Sequence, residues 1–307
     1  MNYTYYIADV FTKKVFNGAQ VAVFPAAEGL NRQQMALVAR ELNLTETVFL
    51  SKTADTENHF RMQIFSPLGE IDVAGHPIIA AAYVLASCDK LDIKEETYTR
   101  VIFQQNSGDV QANVTYSDGQ PSFIQYTRMV SPIVDYFTPT EAELASFLGI
   151  DAAYIDNKKY STRLVSCGVP YLVVPTFYYE TIREAKFDFA AWTQSIAPQT
   201  AAQEILLVSP KTPAQDSDFA VRLVGPNIGL HDDPPVGSAI PTLAAFLCSF
   251  DHLQTGTYTF AVERGDVKAR RSILNMEMDH KGEDTLTIRV GGEAVVAAEG
   301  TMHIPKL

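Results

Sequence analysis

The chain has 307 residues, 47% of them apolar and 20% charged, a composition that suits a soluble globular protein of two domains of about 150 residues each. Its formal charge is −12 and its nearest basic cluster, "VKARRS" at 267–272, is short and flanked by acids, which excludes the basic stripe a nucleic-acid partner requires. No 18-residue apolar run occurs, and the start "MNYTYYIADVF" has neither a basic n-region nor a continuous apolar h-region, so a cytoplasmic protein without a membrane partner is expected.

Taken along the chain, "VAVFP" (21–25) reads as a short buried strand bounded by a turn residue. "NRQQMALVAREL" (31–42) follows as a helix. Asn31 with Gln34 makes a capping box, and Met35, Val38, Ala39 and Leu42 form its apolar stripe. "ETVFLS" (46–51) and "FRMQIFSP" (60–67) are further strands, and 77–87 is a helix apolar nearly all round, as expected of one buried inside a layer or barrel. Turn residues near 120–132 mark a boundary. In "TPTEAELASFLG" (138–149), Thr138 is read as the cap, Pro139 as the first helical residue, Glu141 as closing the box and Gly149 as the stop. A helix over 187–197, strands "EILLVS" (204–209) and "FAVRLVGP" (219–226), a second apolar helix over 239–249 and a last strand near "GTMHIPKL" complete the pass. Cys88, Cys167 and Cys248 are widely spaced and read as reduced, mostly buried thiols.

The same order of segments occurs twice. "VFNGAQVAVF" (15–24) resembles "VSCGVPYLVV" (165–174), "ETVFLS" resembles "EILLVS" at a spacing of 158, and "FRMQIFSP" resembles "FAVRLVGP" at 159. "AGHPIIAAAYVL" (74–85) then matches "VGSAIPTLAAFL" (236–247), with Gly75 against Gly237 at 162. Four matches in order point to a duplicated domain. The expected fold is α+β with two pseudo-symmetric domains, each a barrel-like, mostly antiparallel sheet around a central helix. The halves are 1–127 and 128–307, and the last strand, about 292–307, is a candidate to return to the first half.

Each central helix begins with a glycine and a polar residue: Gly75–His76 and Gly237–Ser238. The first N–H groups of a helix lack intrahelical partners and carry a partial positive charge, and glycine admits a ligand close to the backbone. Two such starts facing one cleft would cradle a small carboxylate. Glu46 precedes an apolar run, where partial desolvation suits a general base. Asp233 lies five residues before Ser238, in the proline-stiffened turn "HDDPPVGS". From spacing alone the plainer readings of each residue carry more weight: Glu46 pairing with Arg40, Asp233 as a turn residue, His76 as a satisfied histidine.

"DVFTKKVFNGAQVAV", "RELNLTETVFL", "FSPLGEIDVAGHP" and "DDPPVGSA" resemble the PhzF family of phenazine-biosynthesis isomerases, relatives of diaminopimelate epimerase and proline racemase. The resemblance runs from Tyr5 to "VGGEAVVAAEG". It implies a two-domain homodimer that uses no metal, nucleotide or other cofactor. It implies an isomerase of the trans-2,3-dihydro-3-hydroxyanthranilate type, with Glu46 as catalytic carboxylate, His76 and Asp233 beside it, and Gly75, Gly237 and Ser238 binding substrate. The related racemases use two opposed cysteines. The matching positions here are Ala74 and Val236, so two-thiol chemistry is disfavoured.

The chain departs from the family pattern at Ala19-Gln20, Ile78, Val236, Arg264 and the run Ala269-Arg270-Arg271-Ser272. Loss of the hydroxyls at 78 and 236 removes donors that would orient a polar substrate, which leaves the phenazine precursor in doubt. The expectation is a cofactor-independent isomerase moving a proton on a small cyclic or amino-acid-like carboxylate. The alternatives are a non-catalytic protein that binds small carboxylates in the same cleft and an interaction protein held by dimer contacts.

Overall fold

The computed structural model describes residues 1–306 apart from 54–56, 73–74, 94–96, 229–232, 267–269 and 283. The chain divides into two compact units. One holds Met1–Thr127, Arg270–Ser272 and Arg289–Leu307; the other holds Arg128–Ala269 and Ile273–Ile288.

The first unit runs β1 (Asn2–Val10), β2 (Ala19–Phe24), α1 (Arg32–Leu42), β3 (Glu46–Lys52), β4 (His59–Ser66), β5 (Gly69–Ile71), α2 (His76–Ser87), β6 (Tyr98–Gln105), β7 (Gly108–Ser117) and β8 (Gln120–Val130). β1 pairs antiparallel with β2 on one side and with the chain's last strand, Ala294–His303, on the other. β2 lies parallel to β3 and β4 parallel to β6, while β3–β4, β6–β7 and β7–β8 are antiparallel. Helix α1 packs Met35, Val38 and Ala39 on Phe24, Phe49 and Phe65, and α2 packs against β1, β2, β3 and β7. Cover by both helices explains why β2 and β3 read as near-continuous apolar runs rather than alternating ones. All of the 12 residues of α2 except Tyr83 and Ser87 are buried, as its all-round apolar sequence requires.

The second unit and the chain's end comprise β9 (Ile133–Asp135), α3 (Glu141–Leu148), β10 (Arg163–Ser166), β11 (Pro170–Pro175), α4 (Tyr179–Glu184), α5 (Phe189–Gln194), β12 (Glu204–Ser209), β13 (Phe219–Val224), α6 (Ile240–Cys248), β14 (Gly256–Arg264), β15 (Ser272–His280), β16 (Leu286–Gly292) and β17 (Ala294–His303). β11 is parallel to β12, β12 antiparallel to β13, and β13 parallel to β14. Every residue of α6 but Cys248 is buried.

The repeat extends to register. In the first unit Val21 stands opposite Glu46, Val48 opposite Ile64 and Phe60 opposite Phe103. Their counterparts in the second, Tyr171 and Glu204, Leu206 and Leu223, Phe219 and Val262, are also direct partners. A one-residue slip would turn every side chain of a strand to the other face, so identical register means identical inward-facing positions. The fold is α+β: two pseudo-symmetric units, each a barrel-like, mostly antiparallel sheet around a central helix.

Local readings need correction in four places. Helix α3 is capped by Thr140 and closed by Glu143, not by Thr138 and Glu141. "TPTEAE" contains two overlapping Thr-x-x-Glu frames, and the second also lets Glu143 accept from the Ile196 N–H at 3.0 Å. The helix expected over 187–197 spans only Phe189–Gln194, because Ser195 is extended and Pro198 enters a short 3-10 turn. The 239–249 helix starts as a 3-10 turn at Gly237–Ala239 before becoming α6. The three cysteines are free but half-buried rather than enclosed.

Candidate active site

Glu46 opens β3 immediately after α1, whose C-cap Asn43 adopts the left-handed conformation at φ 50 and turns the chain back toward the sheet. His76 is the first residue of α2, preceded by Gly75 and followed by Pro77, and no side chain caps this helix start. These two points of the first unit converge. His76 Nε2 and Glu46 Oε2 are in direct contact, with side-chain exposures of only 5% and 15%. Neither atom has another hydrogen-bond partner among the described residues. A carboxylate and an imidazole so enclosed form a pair able to hold and pass one proton, and Glu46 pairs with His76 rather than with Arg40.

Asp233 in the second unit has a different environment from that expected of a catalytic acid. Arg183 Nη1 donates to its Oδ2 at 2.5 Å, and Arg264 Nε lies 3.3 Å from its Oδ1. Arg264 Nε also donates to the Pro234 carbonyl at 3.1 Å. Asp233 is thus clamped between two guanidinium groups, with its side chain 7% exposed. Gly237 is buried in the 3-10 turn that precedes α6, and Ser238 beside it is exposed. Ser238 Oγ shares a hydrogen bond of 3.2 Å with Tyr171 OH, which is buried. Val236 is buried and carries no ionisable group, while Ala74 lies outside the described residues.

Glu46 and His76 therefore meet within the first unit, and Asp233, Gly237 and Ser238 belong to the second. Arg183, Arg264 and Tyr171 escape the sequence reading. Arg264 leaves a trace as a departure in Glu263-Arg264-Gly265, whereas nothing in "TIREAKFD" marks Arg183. Among the described residues no three His, Cys, Asp or Glu side chains converge as a metal site.

The chain is thus a duplicated α+β fold whose first unit encloses a carboxylate–imidazole pair. A family model described as phenazine biosynthesis-like protein matches residues 8–300. An uncharacterized isomerase of Mesorhizobium japonicum is 29% identical over 306 residues, covering 98% of this chain and 98% of that protein. The trans-2,3-dihydro-3-hydroxyanthranilate isomerase of Pseudomonas aeruginosa is 23% identical over 312 residues, covering 98% and 99%. The crystal structure of a Bacillus anthracis phenazine biosynthesis protein of the PhzF family shares the fold at a TM-score of 0.87, with 19% identity and coverage of 99% and 100%. The chain belongs to the phenazine biosynthesis-like, or PhzF, family, and it is an isomerase.

Proposed function

We propose that this isomerase moves a proton between carbons of a small cyclic or amino-acid-like carboxylate, with Glu46 as the acid–base group and His76 as its partner. The observation that carries this reading is the direct, buried contact between Glu46 Oε2 and His76 Nε2. A carboxylate takes a proton from carbon only when water competes poorly for it, and burial at the junction of β3 and α2 supplies that exclusion. The imidazole can hold the transferred proton in the interval or steady the carboxylate while it does so.

In this reading the backbone N–H groups at Gly75 in the first unit, and those at Gly237 and Ser238 in the second, are each suited to an anionic group of a substrate, as a helix start is. Asp233 acts with them through its two arginines, in a positioning role rather than as a second base. The reaction needs no cofactor, and the protein works as a cytoplasmic homodimer. The relative that acts on trans-2,3-dihydro-3-hydroxyanthranilate supports a cyclic carboxylate as substrate class, while Ile78, Val236 and Gln20 argue for a different member of that class.

Turnover of a panel of cyclic and amino-acid carboxylates by wild type and Glu46→Gln tests the proposal. The variant is expected to lose a factor of about 10²–10⁴ in kcat while remaining folded. Full activity in Glu46→Gln, or ligand binding by wild type with no turnover of any panel member, would overturn it.

A further inference from the structure

The turn between β6 and β7 reaches the two segments that carry the proton pair. The strands pair from Tyr98 with Thr115 to Gln105 with Gly108, so Asn106 and Ser107 alone form the turn, with Gly108 at φ 117. Gln105 is buried and its Nε2 donates to Met62 Sδ of β4 at 3.5 Å, which fixes the turn to the core of the first unit. Asn106 uses both ends of its amide. Its Oδ1 accepts from Arg61 Nη2, and its Nδ2 donates to Glu70 Oε1 at 3.1 Å and to Asp72 Oδ1 at 2.9 Å. Beside it, Ser107 Oγ donates to the Asp72 carbonyl at 3.1 Å.

These two carboxylates lead to different members of the pair. Glu70 in β5 stands opposite Phe65 in β4, and Phe65 stands opposite Thr47, the residue after Glu46. Asp72 lies just past β5 and four residues before His76, with buried Gly75 and ring-locked Pro77 on either side of the histidine. β5 has only three residues, too short to hold this approach by pairing alone. The ties lie at the surface, where each adds little to stability. What they set is position, and a misplacement of about 1 Å in a catalytic group can cost about 10²-fold in rate.

We propose that Asn106 is a positioning residue for proton transfer: its amide locks Glu70 and Asp72 together and so sets how His76 meets Glu46. This rests on the reading of Glu46 and His76 as the acid–base pair. The amide gives one acceptor to an arginine and two donors to two carboxylates, which neither an aspartate nor a hydroxyl can do. An aspartate at this point would face Glu70 and Asp72 as a third negative charge.

NMR of the His76 imidazole nitrogens at one fixed pH tests this without a substrate. Glu46→Gln gives the resonance of a histidine that has lost its carboxylate partner. Asn106→Asp is expected to move the His76 resonance toward that reference by about half of the displacement or more. Asn106→Ala removes the ties without adding charge, which keeps the test readable if the acid variant fails to fold. It is expected to move the resonance the same way by a smaller amount. Ser122→Ala removes a comparable exposed bond, from Ser122 Oγ to the Thr115 carbonyl at 3.1 Å, and should leave the resonance in place. A lower denaturation midpoint in the Asn106 variants with His76 unmoved would show a purely structural role and overturn the proposal, as would an equal displacement in Ser122→Ala. A resonance that Glu46→Gln moves and the Asn106 variants do not defeats this proposal alone. One that Glu46→Gln itself leaves in place defeats the acid–base pair together with it.

Discussion

At the scale of single residues, chemistry follows from what each side chain is pressed against. Burial pushes the Cys167 thiol up to about 12 and the Cys248 thiol up to about 11, and raises Cys88 as well. Only the thiolate attacks an electrophile, so all three should resist iodoacetamide in the native protein at pH 8 and react readily in denaturant. Peptide mass mapping of the alkylated protein reads this directly, and native labelling at the rate of an unhindered thiol would contradict it. Glu46 and His76 were legible in the sequence because each stands at a recognisable boundary, a carboxylate opening an apolar strand and a histidine opening an apolar helix. Their contact was not, since it depends on where β3 and α2 end in space. Arg183 and Tyr171 left no local mark at all. Their importance comes from partners 50 and 67 residues away.

Among the elements, α3 offers a clean test of local energetics. Thr140 caps it, and Glu143 accepts from the Thr140 N–H and Oγ1–H, both at 2.8 Å, as well as from Ile196 N–H. These bonds hold the Glu143 carboxyl below the usual carboxylate range, the Thr140 backbone bond contributing most. A depressed carboxyl stabilises the fold fully above its unfolded value and stops doing so as pH falls through its folded one. Glu143→Gln should therefore lower stability at pH 7 and approach wild type as pH falls below about 4.5, flattening the acid limb of the stability curve. Thr140→Ala is expected to cost about 0.5–2 kcal/mol in urea denaturation at neutral pH, and no measurable loss would contradict the assigned cap. The sequence placed this helix and its Gly149 stop but chose the wrong one of two overlapping capping frames. Tertiary contact favours the second frame: Glu143 also accepts from the Ile196 N–H, far along the chain.

For the whole molecule, the duplicated order of strands was readable because matched inward positions must carry matched apolar residues. The excursions that complete the first unit were harder to read. β17 borders β1 along nearly its full length, and Arg270 reaches Asp9 across 261 positions of sequence. Asp9 is fully buried, accepts from the Phe16 N–H at 2.7 Å and takes the Arg270 guanidinium, which also donates to the Asn17 and Gly18 carbonyls at 2.9 and 3.1 Å. Removing the arginine strands a buried carboxyl, so Arg270→Ala is expected to destabilise the protein by roughly 2–4 kcal/mol, read from the shift of its denaturation midpoint. A change below about 0.5 kcal/mol would show the pair to be incidental. The family and the isomerase class rest on the whole chain; the proposed proton path rests on the contact of Glu46 with His76. Its most direct test is a substrate carrying deuterium at the reacting carbon, converted in ordinary water and examined by mass spectrometry. The account predicts that wild type delivers part of the deuterium to the neighbouring carbon and that Glu46→Gln delivers none. Equal transfer by the variant, or complete loss of label to solvent from both proteins at equal rates, would contradict it.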